Sequence, residues 1–192
     1  MHKADDEVMV EVSDHSESDR DVIKNLYAFY RYDLMPFIGK GRGAHVNDFG
    51  TIGAQHDRTH EESARGDDVW WQKPGGLFAY LIRADELPAG FAMVALPPHA
   101  TPGVDFRLND FFVLNRLRGL GVGRQAAIQV FDRFQGVWEL GWVPGNTVAA
   151  LFWRSVVSHY TRGRFEECLV GMGKSEPPMP GLRFVSASES DL

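Results

Sequence analysis

The chain has 192 residues, 44% of them hydrophobic, which is enough for a single domain with a sizeable core over residues 1–192. Its net charge of -6 argues against nucleic acid and membrane surfaces as partners, because no cluster of Lys or Arg offsets it. There is no apolar run of membrane-spanning length, the N-terminus is too polar for a signal peptide, and the single Cys168 excludes an internal disulfide. These features predict a cytoplasmic protein.

The N-terminal region predicts a strand followed by an amphipathic helix. Residues 1–7 are charged and expected to form a flexible tail, and Val8–Val12 is the first predicted strand. The helix is expected to begin at Ser18, which has an acidic residue three positions on, as in a capping box. Its predicted buried face consists of Val22, Leu26, Phe29 and Tyr30. Three residues lie off this stripe and face either a substrate cleft or the surface: Tyr27, Tyr32 and Asp33.

The segment 33–68 has weak periodicity and is rich in Gly, His and Asp, including the glycine run 39–43 and His45. A long irregular stretch of this kind is typical of a binding loop or lid. His56 and His60 stand four residues apart, as a metal-binding pair would on a helix, but no third ligand follows at a recognisable spacing. We therefore interpret these histidines as solvated loop residues and predict no metal site.

Two strands and a glycine-rich turn follow. The segments 76–83 and 90–96 predict strands joined by a hairpin connection over residues 84–89. Leu108–Leu114 predicts a further strand, and from Gly123 the apolar period changes to that of a helix. Between them, alternating glycines at 119, 121 and 123 would leave amides bare at a helix N-terminus, which binds phosphate. The spacing fits neither the dinucleotide pattern nor the P-loop.

The pattern Arg-x-x-Gly-x-Gly, at Arg118–Gly123, directly after a strand that ends Phe-Phe-Val, resembles motif A of the GCN5-related N-acetyltransferase (GNAT) superfamily. The sequence Leu108–Val113 resembles that of the same strand in polyamine-type acetyltransferases. A glycine turn that serves packing alone is the alternative. The resemblance implies acetyl-coenzyme A as acyl donor and a pyrophosphate cradle built from Arg118, Gly119, Leu120, Gly121, Val122, Gly123 and Arg124.

The resemblance also implies the fold. It is an α+β (three-layer α/β) arrangement with a twisted, mixed and mostly antiparallel sheet of about six or seven strands flanked by helices. Its two central parallel strands splay apart, and the coenzyme lies in the gap. Phe112, Val113 and Leu114 of the first of these strands are then expected to contact the pantetheine arm. In relatives, the segment corresponding to 33–68 shapes the acceptor site.

A second motif follows the predicted strand 136–143. Asn146 is a good helix N-cap, which alone would explain it. The pattern Asn-x-x-Ala-x-x-Phe-Trp is also similar to motif B, which adds coenzyme contacts from Asn146, Ala149, Phe152 and Trp153. Many relatives carry a tyrosine acid where this chain has Trp153, whose indole is no useful acid. Tyr160 is a candidate substitute. Strands at 164–171 and 182–186, joined by a linker over 177–181, close the chain before a tail at 187–192.

The function implied is direct transfer of an acetyl group to a primary amine of a small molecule or peptide. Asp110 is the leading candidate base, but strand alternation would point it away from Asn109, and the cleft-facing position is open between them. The candidate substrate residues are Tyr27, Tyr32 and Asn109. A coenzyme-binding protein with reduced catalysis and a transferase for larger acyl groups are the alternatives. The acceptor's identity is open, and homodimerisation, common in the superfamily, has no sequence signal here.

Overall fold

The computed structural model describes residues 8–14, 16–38, 46–54, 56–73, 75–171 and 178–186. The expectations for the tails 1–7 and 187–192, for the glycine run 39–43 and for His45 lie outside these ranges. None of the helices within them combines the length and the hydrophobicity that a bilayer-spanning segment requires.

Seven strands and five helices make up the described part of the chain. The strands are β1 (Val10–Val12), β2 (Leu77–Ala84), β3 (Leu87–Ala95), β4 (Phe106–Val113), β5 (Val137–Gly141), β6 (Phe165–Val170) and β7 (Met179–Val185). The helices are α1 (Arg20–Leu34), α2 (His60–Ser63), α3 (Val69–Gln72), α4 (Val122–Asp132) and α5 (Thr147–Thr161). Three short 3₁₀ turns accompany them at Glu17–Asp19, Arg65–Asp68 and Asn115–Leu117.

The strands form one sheet in the order β1-β2-β3-β4-β5-β7-β6. All neighbouring strands are antiparallel except the central pair β4 and β5. This parallel pairing covers only Phe106–Leu108 against Trp138–Leu140, although β4 continues to Val113. The predicted mixed, mostly antiparallel sheet with a splay between two central parallel strands is therefore confirmed.

Helices cover both faces of the sheet and give three layers. On one face, α4 and α5 pack on β4, β5 and β7 around the fully buried Trp138 and Phe131. On the other face, α1 and α3 place Ile23, Leu26 and Trp70 against buried residues of β2 and β3. The apolar stripes of the helices and the alternating strand residues thus form two cores, one on each face of the sheet.

Two strands are longer than the sequence predicted. The hairpin between β2 and β3 is a two-residue turn at Asp85 and Glu86, whose φ angles of 49° and 67° suit a tight β-hairpin, so β3 begins at Leu87. The C-terminal boundary predicted for the linker 177–181 is wrong, because β7 already begins at Met179. Gly181 permits this close pairing, since a Cβ there would lie 2.3 Å from the Leu140 carbonyl oxygen.

The start and the buried face of α1 also differ from expectation. Ser18 does not cap α1 but lies in the preceding 3₁₀ turn, whose N-cap is Ser16: the Ser16 side chain accepts a hydrogen bond from the Ser18 amide at 3.2 Å. The N-cap of α1 itself is Asp19, which makes no side-chain capping hydrogen bond. Phe29 was predicted to be in the core but is 57% exposed. The face of α1 that packs on the sheet includes the predicted Leu26 and Tyr30 together with Ile23 and Tyr27; Ile23 and Leu26 are buried, and the two tyrosines are partly buried. The Tyr27 and Tyr30 rings both pack against Phe91.

Candidate active site

A large cleft opens where β4 and β5 cease to pair. Its volume is about 1910 Å³, and it extends from the N-termini of α4 and α5 to the C-terminal half of α1. Leu108 and Leu140, the last residues of the parallel ladder, lie in its lining. Because the gap passes between the strands, the glycine turn on one side and α1 on the other border one continuous space.

The glycine turn presents a row of unpaired amides to this cleft. Gly119 and Gly121 have φ angles of 80° and 83°, and Gly121 is the residue from which α4 begins. Within the described residues, the amides of 119–124 have no protein acceptor, and the first amide bonded back to the turn belongs to Gln125. A helix N-terminus with free amides and a positive dipole end binds phosphate groups. A Cβ added at Gly119 would have no neighbouring atom within 4 Å, so the space in front of the turn is open to a ligand.

The third glycine of the turn, Gly123, is needed for helix packing. Gly123 lies inside α4, and a Cβ there would meet the Phe152 ring at 3.2 Å, so glycine allows α5 to approach this closely. At the start of α5, the Asn146 side-chain oxygen accepts a hydrogen bond from the Ala149 amide at 3.0 Å, and the predicted N-cap is confirmed. Phe152 and Trp153 of α5 pack against Phe111 of β4 and form an aromatic wall of the cleft.

Arg118 connects the glycine turn to both sides of the cleft. Its Nε donates to the Val113 carbonyl at 2.9 Å, its guanidinium lies 5.7 Å from the Phe112 ring centroid, and a terminal nitrogen pairs with Asp33 of α1. Arg124 lies in the first turn of α4 and donates to the Ser155 hydroxyl at 3.4 Å. Both predicted arginines therefore line the cleft, but Arg118 is already engaged by protein groups.

An irregularity in β4 shapes the floor of the cleft. The register against β3 shifts between Met93 and Val94, which pair with Asp110 and Leu108, so Asn109 is an extra residue in β4. Strict alternation was expected to point Asn109 and Asp110 to opposite faces, and this expectation is wrong. The bulge brings the two side chains together, with Asn109 Nδ2 donating to Asp110 Oδ2 at 2.9 Å, and both line the cleft.

Two tyrosines of α1 complete the surroundings of Asp110. Tyr30 donates its hydroxyl to Asp110 Oδ1 at 2.8 Å, and Tyr27 donates to Oδ2 at 3.1 Å. Burial raises the pKa of both tyrosines well above 10, and the negative charge of Asp110 raises it further. Both phenols thus stay protonated and act as hydrogen-bond donors to the carboxylate.

Most of the predicted site residues line the cleft. Those that do are Tyr27, Asn109, Asp110, Phe112, Val113, Arg118, Gly119, Gly121, Gly123, Arg124, Asn146, Ala149, Phe152 and Trp153. Leu120 and Val122 belong to the turn, but the Leu120 side chain is 55% exposed and the Val122 side chain is in the core, so only their amides can serve a ligand. The expected contact of Leu114 with the pantetheine arm is corrected: the Leu114 amide donates to the Ala89 carbonyl at 2.8 Å, and the residue lies outside the cleft lining.

Two further predicted residues are elsewhere in the fold. Tyr160 is wrong as a candidate acid: it lies near the far end of α5, packs against Phe131 and Phe184, and donates to Asp132 at 2.9 Å. Tyr32 is 62% exposed and lies outside the cleft lining.

The structure adds residues that the sequence did not single out. Tyr30 was assigned to the core and in addition bonds Asp110. Arg31 donates to the carbonyls of Ile52 and Ser63 and faces Asp67 at 3.5 Å. Burial raises the pKa of Asp67 to about 6; the charge of Arg31 opposes this rise and that of Asp110 reinforces it. The polar and aromatic composition of α1 was the only sequence signal for this group. Among the described residues, no three His, Cys, Asp or Glu side chains cluster as metal ligands.

Comparison with known proteins gives matches at the level of structure. No protein-family model matches the chain, and no curated protein is significantly similar to it in sequence. An acetyltransferase from Thermus thermophilus superposes with a TM-score of 0.63 at 15% identity, over 93% of this chain and 98% of the other. RimJ of Mycobacterium smegmatis, in complex with CoA-disulfide, gives 0.59 at 14% identity, over 95% and 83%.

A third similar structure is RimL, a ribosomal L7/L12 alpha-N-protein acetyltransferase in complex with coenzyme A. Its TM-score is 0.59 at 13% identity, and the match covers 95% of this chain and 96% of that chain. These matches cover 93–95% of this chain and 83–98% of the other chains, so the fold described above is shared with acetyltransferases. The chain therefore has the fold of the GNAT acetyltransferases.

Proposed function

We propose that this protein is an acetyl-coenzyme A-dependent N-acetyltransferase that moves an acetyl group directly to a primary amine of a small molecule or peptide. The observation that carries the proposal is the row of free amides at 119–124, placed at the mouth of a cleft between two diverging strands. This arrangement fits a pyrophosphate followed by a slender arm, because the amides face phosphate oxygens at one end and the gap continues between the strands.

Each part of the cleft has a role in this proposal. The amides of the turn, with Arg124, hold the pyrophosphate, and Asn146 and the aromatic wall of Phe152 and Trp153 border the pantetheine arm. The coenzyme supplies an activated acetyl thioester. The chain holds the amine beside it, and such positioning is worth much of the acceleration in a two-substrate reaction.

Proton transfer falls to Asp110 in this scheme. The amine arrives as an ammonium, loses one proton to the carboxylate and bonds to the acetyl carbon as the carbon–sulfur bond breaks. One proton ends on the coenzyme thiol and one in solvent, so the reaction balances. The phenols Tyr27 and Tyr30 also line the cleft, and their raised pKa makes them poor proton donors.

Thermal melting with acetyl-coenzyme A, coenzyme A, ATP and NAD in parallel tests the coenzyme site. A ligand at 100 times its dissociation constant adds about 2.7 kcal/mol to the free energy of unfolding. At about 2–4 °C per kcal/mol for a chain of this length, the melting temperature rises by about 5–10 °C. We expect this shift with both coenzyme A forms and none with NAD or ATP. No shift with either coenzyme form would contradict the proposal.

Two glycine variants provide a matched pair for this assay. Gly121→Ala forces a side chain into a residue with φ of 83°, and Gly163→Ala does the same at 80° beyond the C-terminus of α5, outside the cleft lining. Each costs about 1–2 kcal/mol of stability from backbone strain. Only Gly121→Ala should weaken coenzyme A binding, by about ten-fold, because it distorts the turn. Equal weakening in both variants would show that the effect is general destabilisation.

A coenzyme-binding protein with reduced catalysis is the second candidate, and Trp153 in the place of the usual tyrosine acid favours it. Release of free coenzyme A thiol on addition of amines decides between the two. Thiol release that depends on an amine supports the enzyme. Tight coenzyme binding without turnover across primary amines supports the binding protein.

A further inference from the structure

We propose, on the basis of the function above, that the acceptor is a singly charged primary amine on an apolar body, with its ammonium group held by Asp110. This class excludes polyamines and other multiply charged amines as preferred substrates. Three features of the cleft carry the inference: a carboxylate without a cationic partner, the absence of a second such carboxylate, and apolar walls beside it.

Asp110 carries a charge that the protein leaves unneutralised. Its carboxylate accepts three hydrogen bonds, from Tyr27, Tyr30 and Asn109, at 3.1, 2.8 and 2.9 Å. All three donors are neutral, and no Lys or Arg of the described chain lies within ion-pair distance of it. A partly buried charge is costly unless a counter-charge meets it. The donors fix the carboxylate in the lining of the cleft, where a ligand's ammonium group supplies that counter-charge.

There is no second free carboxylate for another ammonium group in the described lining. Asp33 is the other carboxylate there, and it is paired with Arg118. Asp67 faces Arg31 and lies outside the lining. A second ammonium group would therefore lose its hydration without gaining a partner, at a cost that a single carboxylate does not offset.

The walls near α1 suit a hydrocarbon body. Leu34 lies one helical turn beyond Tyr30 on the same face of α1, and the chain then adds Phe37 and Ile38 to the cleft. Phe112, whose ring packs 6.0 Å from that of Tyr30, and Ile52 add further apolar surface. Each methylene buried there contributes up to about 0.8 kcal/mol, or about four-fold in affinity.

The test of charge number compares hexylamine with 1,6-diaminohexane, which have the same chain length and differ by one ammonium group. The assay is release of coenzyme A thiol from acetyl-coenzyme A. We expect kcat/KM for hexylamine to exceed that for the diamine by at least about ten-fold. It should also exceed that for ethylamine, because four methylenes are added. A diamine that is acetylated as well as or better than hexylamine overturns the proposal.

The test of Asp110 is calorimetric and needs no coenzyme. Wild-type protein and Asp110→Asn are titrated with hexylamine and with 1-hexanol, its neutral counterpart. The asparagine keeps the shape of the side chain and removes the charge. We expect Asp110→Asn to weaken hexylammonium binding by at least about ten-fold and to leave hexanol binding unchanged, as befits a charge-assisted hydrogen bond. Equal weakening of both ligands, or no hexylammonium binding to the wild type, overturns the inference.

These outcomes are separable from failure of the proposed function. If acetyl-coenzyme A binds and diamines are the better acceptors, the transferase stands and only the acceptor class is wrong. If acetyl-coenzyme A does not bind but hexylammonium binds through Asp110, the transferase is wrong and the amine site stands.

Discussion

Asn146 allows a structural role to be separated from a binding role within one side chain. Its oxygen caps α5 through the Ala149 amide, and the residue also lines the cleft. The cap uses the oxygen alone, which leaves the side-chain nitrogen for a bound coenzyme. We predict that Asn146→Ser keeps the cap and loses the nitrogen donor, whereas Asn146→Ala loses both.

The two roles have different magnitudes and readouts. Loss of an N-cap costs about 1 kcal/mol, and Ser is about as good a cap as Asn. In a chain of this length, Asn146→Ala should therefore melt about 2–4 °C below the wild type, with Asn146→Ser close to the wild type. A neutral hydrogen bond contributes about 1 kcal/mol, so both variants should bind coenzyme A about five-fold more weakly.

Thermal melting of the free protein reports the cap, and titration calorimetry with coenzyme A reports the donor. The serine variant is the control for the alanine variant, because the two differ only in the capping oxygen. If Asn146→Ser binds coenzyme A as tightly as the wild type, Asn146 is a cap and no more. If it melts as low as Asn146→Ala, the reasoning about the cap is wrong.

Two further predictions concern a buried acid and a residue outside the cleft. Burial in the folded state raises the pKa of Asp67 from 3.8 to about 6. Below pH 3.8 the carboxyl is protonated in both the folded and the unfolded state and its burial costs little. As the pH rises through about 6 the buried group ionises, and this destabilises the folded state. At 1.36 kcal/mol per pH unit, the free energy of unfolding of the wild type relative to Asp67→Asn should fall by about 3 kcal/mol between about pH 3.5 and pH 7. Urea denaturation at both pH values measures this, and a pH-independent difference would contradict it. Tyr160→Phe should leave kcat/KM for acetyl transfer unchanged and cost no more than about 1 kcal/mol of stability, because its hydroxyl bonds Asp132 away from the cleft; a large loss of turnover would restore Tyr160 as an acid.

Local signals made one half of the site predictable from sequence. The strand, the glycine turn and α4 follow one another along the chain, so spacing alone places free amides at a helix N-terminus. The Asn146 cap is equally local, because its partner is three residues on. Tyr160 failed for a reason of geometry: 14 residues of helix beyond Asn146 correspond to about 21 Å, which carries the side chain to the other end of α5.

The acceptor half depends on contacts that no local pattern encodes. The hydroxyls of Tyr27 and Tyr30 reach Asp110 across more than 79 positions of sequence, and Asp33 reaches Arg118 across 85. The bulge at Asn109 could not be predicted either, because the alternation of polar and apolar residues along a strand does not show where an extra residue interrupts the pairing. These contacts follow from how α1 crosses the sheet, which is a property of the whole fold.

The engagement of Arg118 bears on how ionic strength affects the coenzyme site. Its guanidinium is shared among the Val113 carbonyl, the Phe112 ring and Asp33, so the groups at the glycine turn that remain for a pyrophosphate are the backbone amides and Arg124. Amide dipoles at a helix terminus act over the length of a hydrogen bond, within the first turn, whereas exposed ionic charges act over the Debye length of about 8 Å in physiological salt. Recognition of the pyrophosphate thus relies on direct contact more than on long-range attraction, as suits a chain whose overall charge of -6 repels an anionic ligand.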